Sequence, residues 1–140
     1  TPSLNCGLTG CLIFGVHSIL MQPLPDLVDK LSFFRRLERT WQLIEKEYVD
    51  SDLGLERASR ISGVSKNHLN VLLRQTTGFT FYQILIRYRL SRAITMMESK
   101  NYSILEIVLE NGFKSRNSFE KNFRGLIGTT PKKFRDNRDS

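Results

Sequence analysis

The sequence predicts an all-α protein of about seven helices, in which two helix-turn-helix subdomains are joined by a long linker helix. An amphipathic helix and an apolar N-terminal segment precede these subdomains. Three observations support this fold class: an internal repeat of about fifty residues, apolar side chains at helical spacing, and residues typical of helix N-termini at the expected helix starts.

The internal repeat covers residues 55–134. The segment that starts at Leu55 returns forty-nine residues later at Ile104. Each copy has a short helix, a turn that contains a glycine, and a second helix with a polar and basic outer face. From the serine before the second helix onward the offset is fifty, so the second turn holds one extra residue. The matched pairs are Ser65 and Ser115, Leu69 and Phe119, Leu73 and Phe123, Arg74 and Arg124, Gly78 and Gly128, and Thr80 and Thr130.

The first 25 residues contain no Asp, Glu, Lys or Arg and are rich in apolar side chains. We interpret residues 1–25 as a buried helix or strand of a larger upstream region. Two alternatives stay open. One is a loosely packed tail, and the other is the end of a transmembrane helix, although the densest apolar stretch is shorter than the ~20 residues that a span needs. No basic stretch precedes the apolar residues, so we expect no signal peptide.

Residues 26–50 have the apolar spacing of an amphipathic helix that leads into the domain. Asp26 is the expected N-cap of this helix. A self-pairing coiled coil is a weaker alternative, because Glu38 and Glu45 occupy positions that such a pairing would bury. We therefore expect the apolar stripe to pack on the domain that follows; the stripe repeats every seven residues at Leu27, Phe34, Trp41 and Tyr48.

Three further helix starts carry N-cap signals. Thr80 with Gln83, and Ser103 with Glu106, have the spacing of a capping box. Thr130 precedes a proline, which is favoured at the first helical position. The first of these boxes starts the linker helix, about residues 80–99, which we expect to be a rigid spacer. Its broad apolar face comprises Ile84, Leu85, Tyr88, Leu90, Ala93, Ile94 and Met97.

The positive charge is concentrated in the repeat. The net charge of the chain is +7. Residues 1–54 carry five Lys or Arg against seven Asp or Glu, which gives −2, whereas residues 55–140 carry sixteen against seven, which gives +9. A basic field confined to one domain is typical of proteins that bind a polyanion, because phosphate contacts and counterion release dominate their affinity.

The sequence offers no catalytic or metal-binding constellation. The only histidines are His17 and His68, and no Asp, Glu or Cys cluster lies near them with the spacing of a triad or a metal site. Cys6 and Cys11 alone cannot complete a tetrahedral zinc site, and they are too few for a disulfide scaffold, which suits a reducing compartment. We therefore expect no enzyme activity, no metal and no cofactor.

The outer faces of the two second helices form the candidate DNA surface, since the second helix of such a unit lies in the major groove. Ser65 and Ser115 are expected to cap these helices and to aim backbone N–H groups at phosphate. Asparagine can pair with adenine, arginine with guanine and glutamate with cytosine, and valine can touch a thymine methyl group. The outer-face residues are Lys66, Asn67, Asn70, Val71 and Arg74 in the first copy, and Arg116, Asn117, Glu120, Lys121 and Arg124 in the second.

Over residues 38–137 the chain resembles the C-terminal DNA-binding domain of AraC/XylS-family bacterial transcription regulators. The resemblance implies a first helix-turn-helix at about 55–78, the linker helix at about 80–99 and a second helix-turn-helix at about 103–128, which contact successive major-groove segments on one face of the DNA. Its most specific stretches are GFTFYQ (78–83), RLSRA (89–93), SILEIVLENGF (103–113), SFEKNF (118–123) and GTTPKKFR (128–135). The departures from the family pattern are Ser59, Val108 and Phe134.

The resemblance also implies roles for single positions. Phosphate contacts are assigned to Ser65, Lys66, Arg74, Ser115, Ser118 and Arg124. Base contacts are assigned to Asn67, Asn70, Val71, Arg116, Asn117, Glu120 and Lys121. We expect the second copy to contribute more of the sequence specificity, because Asn67 and Val71 in the first are weaker base contacts than larger or charged side chains.

The expected function is sequence-specific regulation of transcription through double-stranded DNA, in the cytoplasm. RNA polymerase is the expected protein partner; Lys114, Lys132, Lys133 and Arg135 could contact either the polymerase or DNA. Homodimerisation through the upstream region and tethering to a membrane through a segment ending near residue 22 stay open. So do the operator, the effector, and the choice between activation and repression. A module that binds protein or membrane is the alternative function, but it would need apolar outer faces.

Overall fold

The computed structural model describes residues 24–138, with side chains described from residue 31 onward. Over that range the protein is all-α, which confirms the predicted fold class. Residues 1–23 of the apolar N-terminal segment, with both cysteines, lie outside the described residues, and so do the three interpretations of that segment; its last two residues begin the first helix. Within them, no helix is both long enough and apolar enough to cross a membrane. The helices are α1 (Leu24–Glu47), α2 (Leu55–Ser62), α3 (Lys66–Thr77), α4 (Phe81–Met97), α5 (Ile104–Glu110), α6 (Arg116–Ile127) and α7 (Pro131–Arg138).

The C-terminal half of the apolar stripe of α1 packs on the domain that follows, as predicted for Trp41 and Tyr48. The rings of Trp41 and Tyr48 meet the ring of Tyr88 edge-on, with centroid distances of 5.3 and 5.0 Å. The helix starts at Leu24, so the prediction that Asp26 is its N-cap is wrong. Pro25 therefore lies in the first turn of the helix. Proline is tolerated there because its missing N–H would have no partner within the helix.

The first helix-turn-helix consists of α2 and α3. Gly63 ends α2 with a φ of +76°, a left-handed conformation that is costly for residues with a side chain. Ala58 on α2 and Leu69 and Leu73 on α3 are buried between the helices and the linker. The Ser65 hydroxyl oxygen accepts a hydrogen bond from the His68 N–H, which confirms the predicted N-cap of α3.

The second helix-turn-helix, α5 and α6, accommodates its extra residue between Gly112 and Ser115. Phe113 turns into the core, where its ring lies 5.0 Å from that of Phe119. The next residue, Lys114, points outward and lies 3.2 Å from a carboxylate oxygen of Asp52. The longer turn thus holds one core side chain and one exposed cation, where the turn of the first unit holds only the partly buried Val64.

Helix α4 supplies side chains to two separate hydrophobic clusters. The predicted capping box at its start is present, since Thr80 and Gln83 exchange side-chain to backbone hydrogen bonds. The first cluster lies under α1–α3 and takes Phe81, Ile84, Leu85 and Tyr88 from α4. The second lies under α5–α7 and takes Ile86, Leu90, Ala93 and Met97. The two helix-turn-helix units are therefore built on one shared helix.

A buried arginine joins three parts of the molecule. Arg89, at the middle of α4, is only 4% exposed, and its Nε and one Nη donate to the carbonyl oxygens of Tyr48 (2.8 Å) and Asp50 (2.7 Å), just after α1. Burial lowers the pKa of Arg89 below its ordinary value. The turn of the second unit also reaches this point: a Cβ atom added to Gly112 would lie 2.1 Å from the Tyr48 carbonyl oxygen.

Helix α7 closes the second unit. The Thr130 hydroxyl oxygen accepts from the Lys133 N–H, and Pro131 is the first helical residue, as predicted. The ring of Phe134 packs on Phe123 at 5.5 Å. Arg135, a candidate for contact with polymerase or DNA, donates to the Tyr102 carbonyl oxygen at 2.7 Å and so connects α7 to the loop before α5.

Candidate DNA-contacting surface

The outer face of α3 carries most of the side chains expected there. Lys66, Asn67, Val71 and Arg74 are all exposed, Val71 to 50%. Neither Lys66 nor Arg74 forms an ion pair within residues 31–138. The opposite face is held by the buried leucines of the core, which fixes the rotation of the helix and directs these four side chains away from the protein.

Asn70, which was also expected to contact bases, is less exposed than the other candidates on α3. It is half-buried, and its Oδ1 accepts a hydrogen bond from the Phe81 N–H at 3.0 Å. A bidentate contact with adenine needs both the oxygen and the nitrogen of the carboxamide. Because the oxygen is already engaged inside the protein, Asn70 connects α3 to the start of α4, and in this conformation only its Nδ2 group is left to donate to a base.

The outer face of α6 carries Arg116, Asn117 and Lys121, all exposed. Arg116 Nε donates to Glu120 Oε1 at 2.9 Å, one helical turn further along, so two of the expected base contacts are paired with each other. Among the described residues, the two Nη groups of Arg116 have no hydrogen-bond partner. They remain free to donate to a base or a phosphate.

The residues assigned to phosphate fall into two kinds. The hydroxyls of Ser65 and Ser115 cap α3 and α6, and the cap of α6 uses the Ser118 N–H at 3.1 Å. The N–H of Ser118 is therefore occupied, and its side chain is half-buried. The N–H groups at the very start of each helix remain without helical partners, as at any helix N-terminus.

Arg74 and Arg124 are the second kind of phosphate candidate. They lie in the last turns of α3 and α6, and both are exposed. Within the described part of the chain neither forms an ion pair. By contrast, Arg57 binds Glu47 and Arg138 binds Glu98, at 2.7 Å each, on other surfaces. Arg74 and Arg124 therefore contribute uncompensated positive charge to the surface formed by the second helices of the two units.

The surface contains no candidate metal site. No group of three or more His, Cys, Asp or Glu side chains within residues 31–138 could hold a metal ion. The arrangement of two capped helices with polar and basic outer faces is suited to contacts with phosphates and base edges.

Comparison with known proteins gives matches over the part of the chain that contains the two helix-turn-helix units. The model of a family described as a helix-turn-helix domain matches residues 58–137. The probable transcription factor PqrA of Proteus vulgaris is 38% identical over 76 residues, which are 54% of this chain and 62% of that protein. An HTH-type transcriptional regulator of Staphylococcus aureus (strain COL) is 32% identical over 91 residues, which are 65% of this chain and 12% of that protein. The chain thus spans less than two thirds of the length of either relative.

Solved structures of similar fold match most of this chain, and the match covers most of their own length. The C-terminal domain of AraT, a response regulator from Geobacillus stearothermophilus, has a TM-score of 0.69 and 27% identity over 73% of this chain and 84% of that one. An AraC-type regulator from Chromobacterium violaceum has a TM-score of 0.66 and 27% identity, over 74% of this chain and 92% of that one. The DNA-binding domain of AdpA, solved with a target DNA, shares the fold with a TM-score of 0.66 and 24% identity, over 72% of this chain and 89% of that one. The chain belongs to the helix-turn-helix domain family of the AraC type.

Proposed function

We propose that this chain is the DNA-binding part of a transcription regulator, and that it inserts α3 and α6 into successive major-groove segments of duplex DNA. The observation that carries the proposal is the pair of capped helices on one shared linker, each with exposed, uncompensated cations on its outer face. The transcription-factor relatives and the target DNA bound to AdpA support it.

In this proposal α6 makes the more discriminating base contacts. Arg116 donates to guanine, Asn117 pairs with adenine, and Lys121 donates to acceptors in the groove. On α3, Asn67 and Val71 make the remaining base contacts, and Asn70 is left out because its oxygen is bound to Phe81.

The phosphate contacts position both helices. Lys66 and Arg74 on α3 and Arg124 on α6 neutralise phosphates, and the N-termini capped by Ser65 and Ser115 offer backbone N–H groups to the backbone of the DNA. Ser118 contributes through its hydroxyl group, because its N–H serves the cap of α6.

Further partners belong to the same proposal. RNA polymerase is proposed to contact Lys132 and Lys133. Both are exposed and lie on α7, outside the two helices proposed to contact DNA. A module that binds protein or membrane is the second candidate function, but the outer face of α6 offers no apolar side chain in its first two turns. Because the proposed partner is chromosomal DNA, the site of action is the cytoplasm.

Selection of duplexes from a random pool by the purified chain, at near-physiological salt, tests the proposal. We expect a bipartite motif whose two parts lie about one helical turn (~10 bp) apart. Arg116→Ala should cost roughly 1–3 kcal/mol on that motif and relax the preference at one base pair. Arg124→Ala is the matched control: it should weaken binding to all sequences alike and lower the salt slope by about one. Enrichment of no motif at all would contradict the proposal.

A further inference from the structure

The two copies of the repeat differ at one hydrogen bond between the second helix and the helix that follows. In the first copy Asn70 accepts from the N–H of Phe81, the first residue of α4. At the offset of fifty, the matching residues of the second copy are Glu120 and Pro131, the first residue of α7. Proline has no N–H, so the donor that holds Asn70 has no counterpart in the second copy.

Glu120 instead accepts from Arg116 on its own helix. The Nε to Oε1 distance is 2.9 Å, and the side chains of Arg116 and Glu120 are 58% and 39% exposed. An exposed pair at this spacing adds little to the stability of a helix. The pair therefore has no strong structural role, and it lies within the part of α6 that we propose to contact bases.

The pair restricts what Arg116 can bind. A guanidinium group has five donors in a fixed planar fork, and here the Nε edge is occupied by the carboxylate. The two Nη groups stay free and can donate together to O6 and N7 of guanine. The negative charge of Glu120 also weakens the attraction of Arg116 to phosphate, which is the sequence-independent alternative for an arginine on this surface.

We infer that Glu120 is a positioning residue for base recognition: it holds Arg116 in the orientation that contacts one base pair and disfavours contact with phosphate. The inference rests on the proposed function, which it deepens. In α3, Asn70 at the matching position is committed to the protein interior, so this arrangement is confined to the second copy.

The test compares Glu120→Ala with the unchanged chain on the motif recovered by selection. Affinity is measured for all four base pairs at the position that Arg116→Ala relaxes, and for an unrelated duplex over a range of salt. We expect Glu120→Ala to lower the preference at that position about tenfold, a fraction of what a full bidentate contact supplies. We also expect tighter binding to the unrelated duplex and an unchanged melting temperature.

Glu110→Ala is the matched control, because it removes an exposed carboxylate from α5 and changes the net charge equally. It should leave the preference at that position unchanged. The inference is overturned if Glu120→Ala keeps the full preference while Arg116→Ala loses it, and in that case the proposed function still stands. It is also overturned if the preference and the melting temperature fall together, since Glu120 would then be structural. If the unchanged chain prefers no base pair anywhere, the proposed function itself fails.

Discussion

Arg89 donates from Nε to the carbonyl oxygen of Tyr48 at 2.8 Å, across 41 positions of sequence. Its second hydrogen bond, to the Asp50 carbonyl oxygen, lies on the same loop. These carbonyls follow the C-terminal end of α1, where the helix dipole favours a cation. The contact therefore ties the helix that enters the domain to the centre of the linker.

Replacement of Arg89 by methionine should destabilise the protein strongly. The change keeps a long side chain but leaves two carbonyl oxygens without their donor, and we expect a loss of about 2–4 kcal/mol in the free energy of unfolding by urea. Arg87→Met on the same helix is the control. Arg87 only stacks on the ring of Phe79 and binds one carbonyl at the surface, so we expect a loss below about 1 kcal/mol. Equal losses would contradict the proposed role of the buried contact.

The two turn glycines should differ sharply when replaced by alanine. Gly63 has a φ of +76° and open space around the position of a Cβ atom, so Gly63→Ala should cost about 1–2 kcal/mol from backbone strain alone. Gly112 has a φ of +81°, and its Cβ would also lie 2.1 Å from the Tyr48 carbonyl oxygen. We expect Gly112→Ala to lose roughly 1–3 kcal/mol more than Gly63→Ala in the same unfolding measurement. A loss no greater than that of Gly63→Ala would show that the turn can move away.

Asn70 and Asn67 should separate stability from recognition. Asn70→Ala removes the acceptor of the Phe81 N–H, and we expect it to lower the free energy of unfolding by about 1 kcal/mol with little change in base preference. Asn67→Ala removes an exposed side chain, so stability should stay the same while discrimination at one base pair falls. Melting curves and affinities on single-base variants of the motif measure both effects. If Asn70→Ala instead lowered discrimination at one base pair without lowering stability, Asn70 would be a base contact.

The spacing between the two parts of the DNA motif should be strict. Because α4 is buried in both hydrophobic clusters, the two recognition helices cannot turn independently to follow a displaced half-site. Insertion of two base pairs rotates one half of the motif by about 70°, and we expect it to reduce affinity to that of a single half-site. A titration of duplexes with zero to four inserted base pairs checks this. Affinity that is independent of the insertion would mean that the units move separately.

Local signals in the sequence predicted the helices and their starts. The caps at Ser65, Thr80, Ser103 and Ser115 depend on residues within three positions of each other, so the sequence alone contains the information. The start of α1 was missed at Asp26 because Pro25 is compatible with the first helical turn as well as with the residue before it.

Contacts between distant residues could not be predicted in the same way. The roles of Arg89 and Asn70 depend on partners 41 and 11 positions away, and only the folded chain brings them together. One signal was present in the sequence: at the offset of fifty, Phe81 is matched by Pro131, which indicates that an N–H bound in one copy is missing from the other.

The shared use of α4 determines the smallest piece of this protein that can fold as described. A chain cut after the first unit would lose Ile84, Leu85 and Tyr88 from its core, and a chain that began at the second unit would lose Ile86 and Leu90. Each fragment would then expose apolar surface that the intact linker covers. The two units resemble each other in sequence, yet they cannot be separated or exchanged as independent modules unless each one carries its own copy of the linker helix.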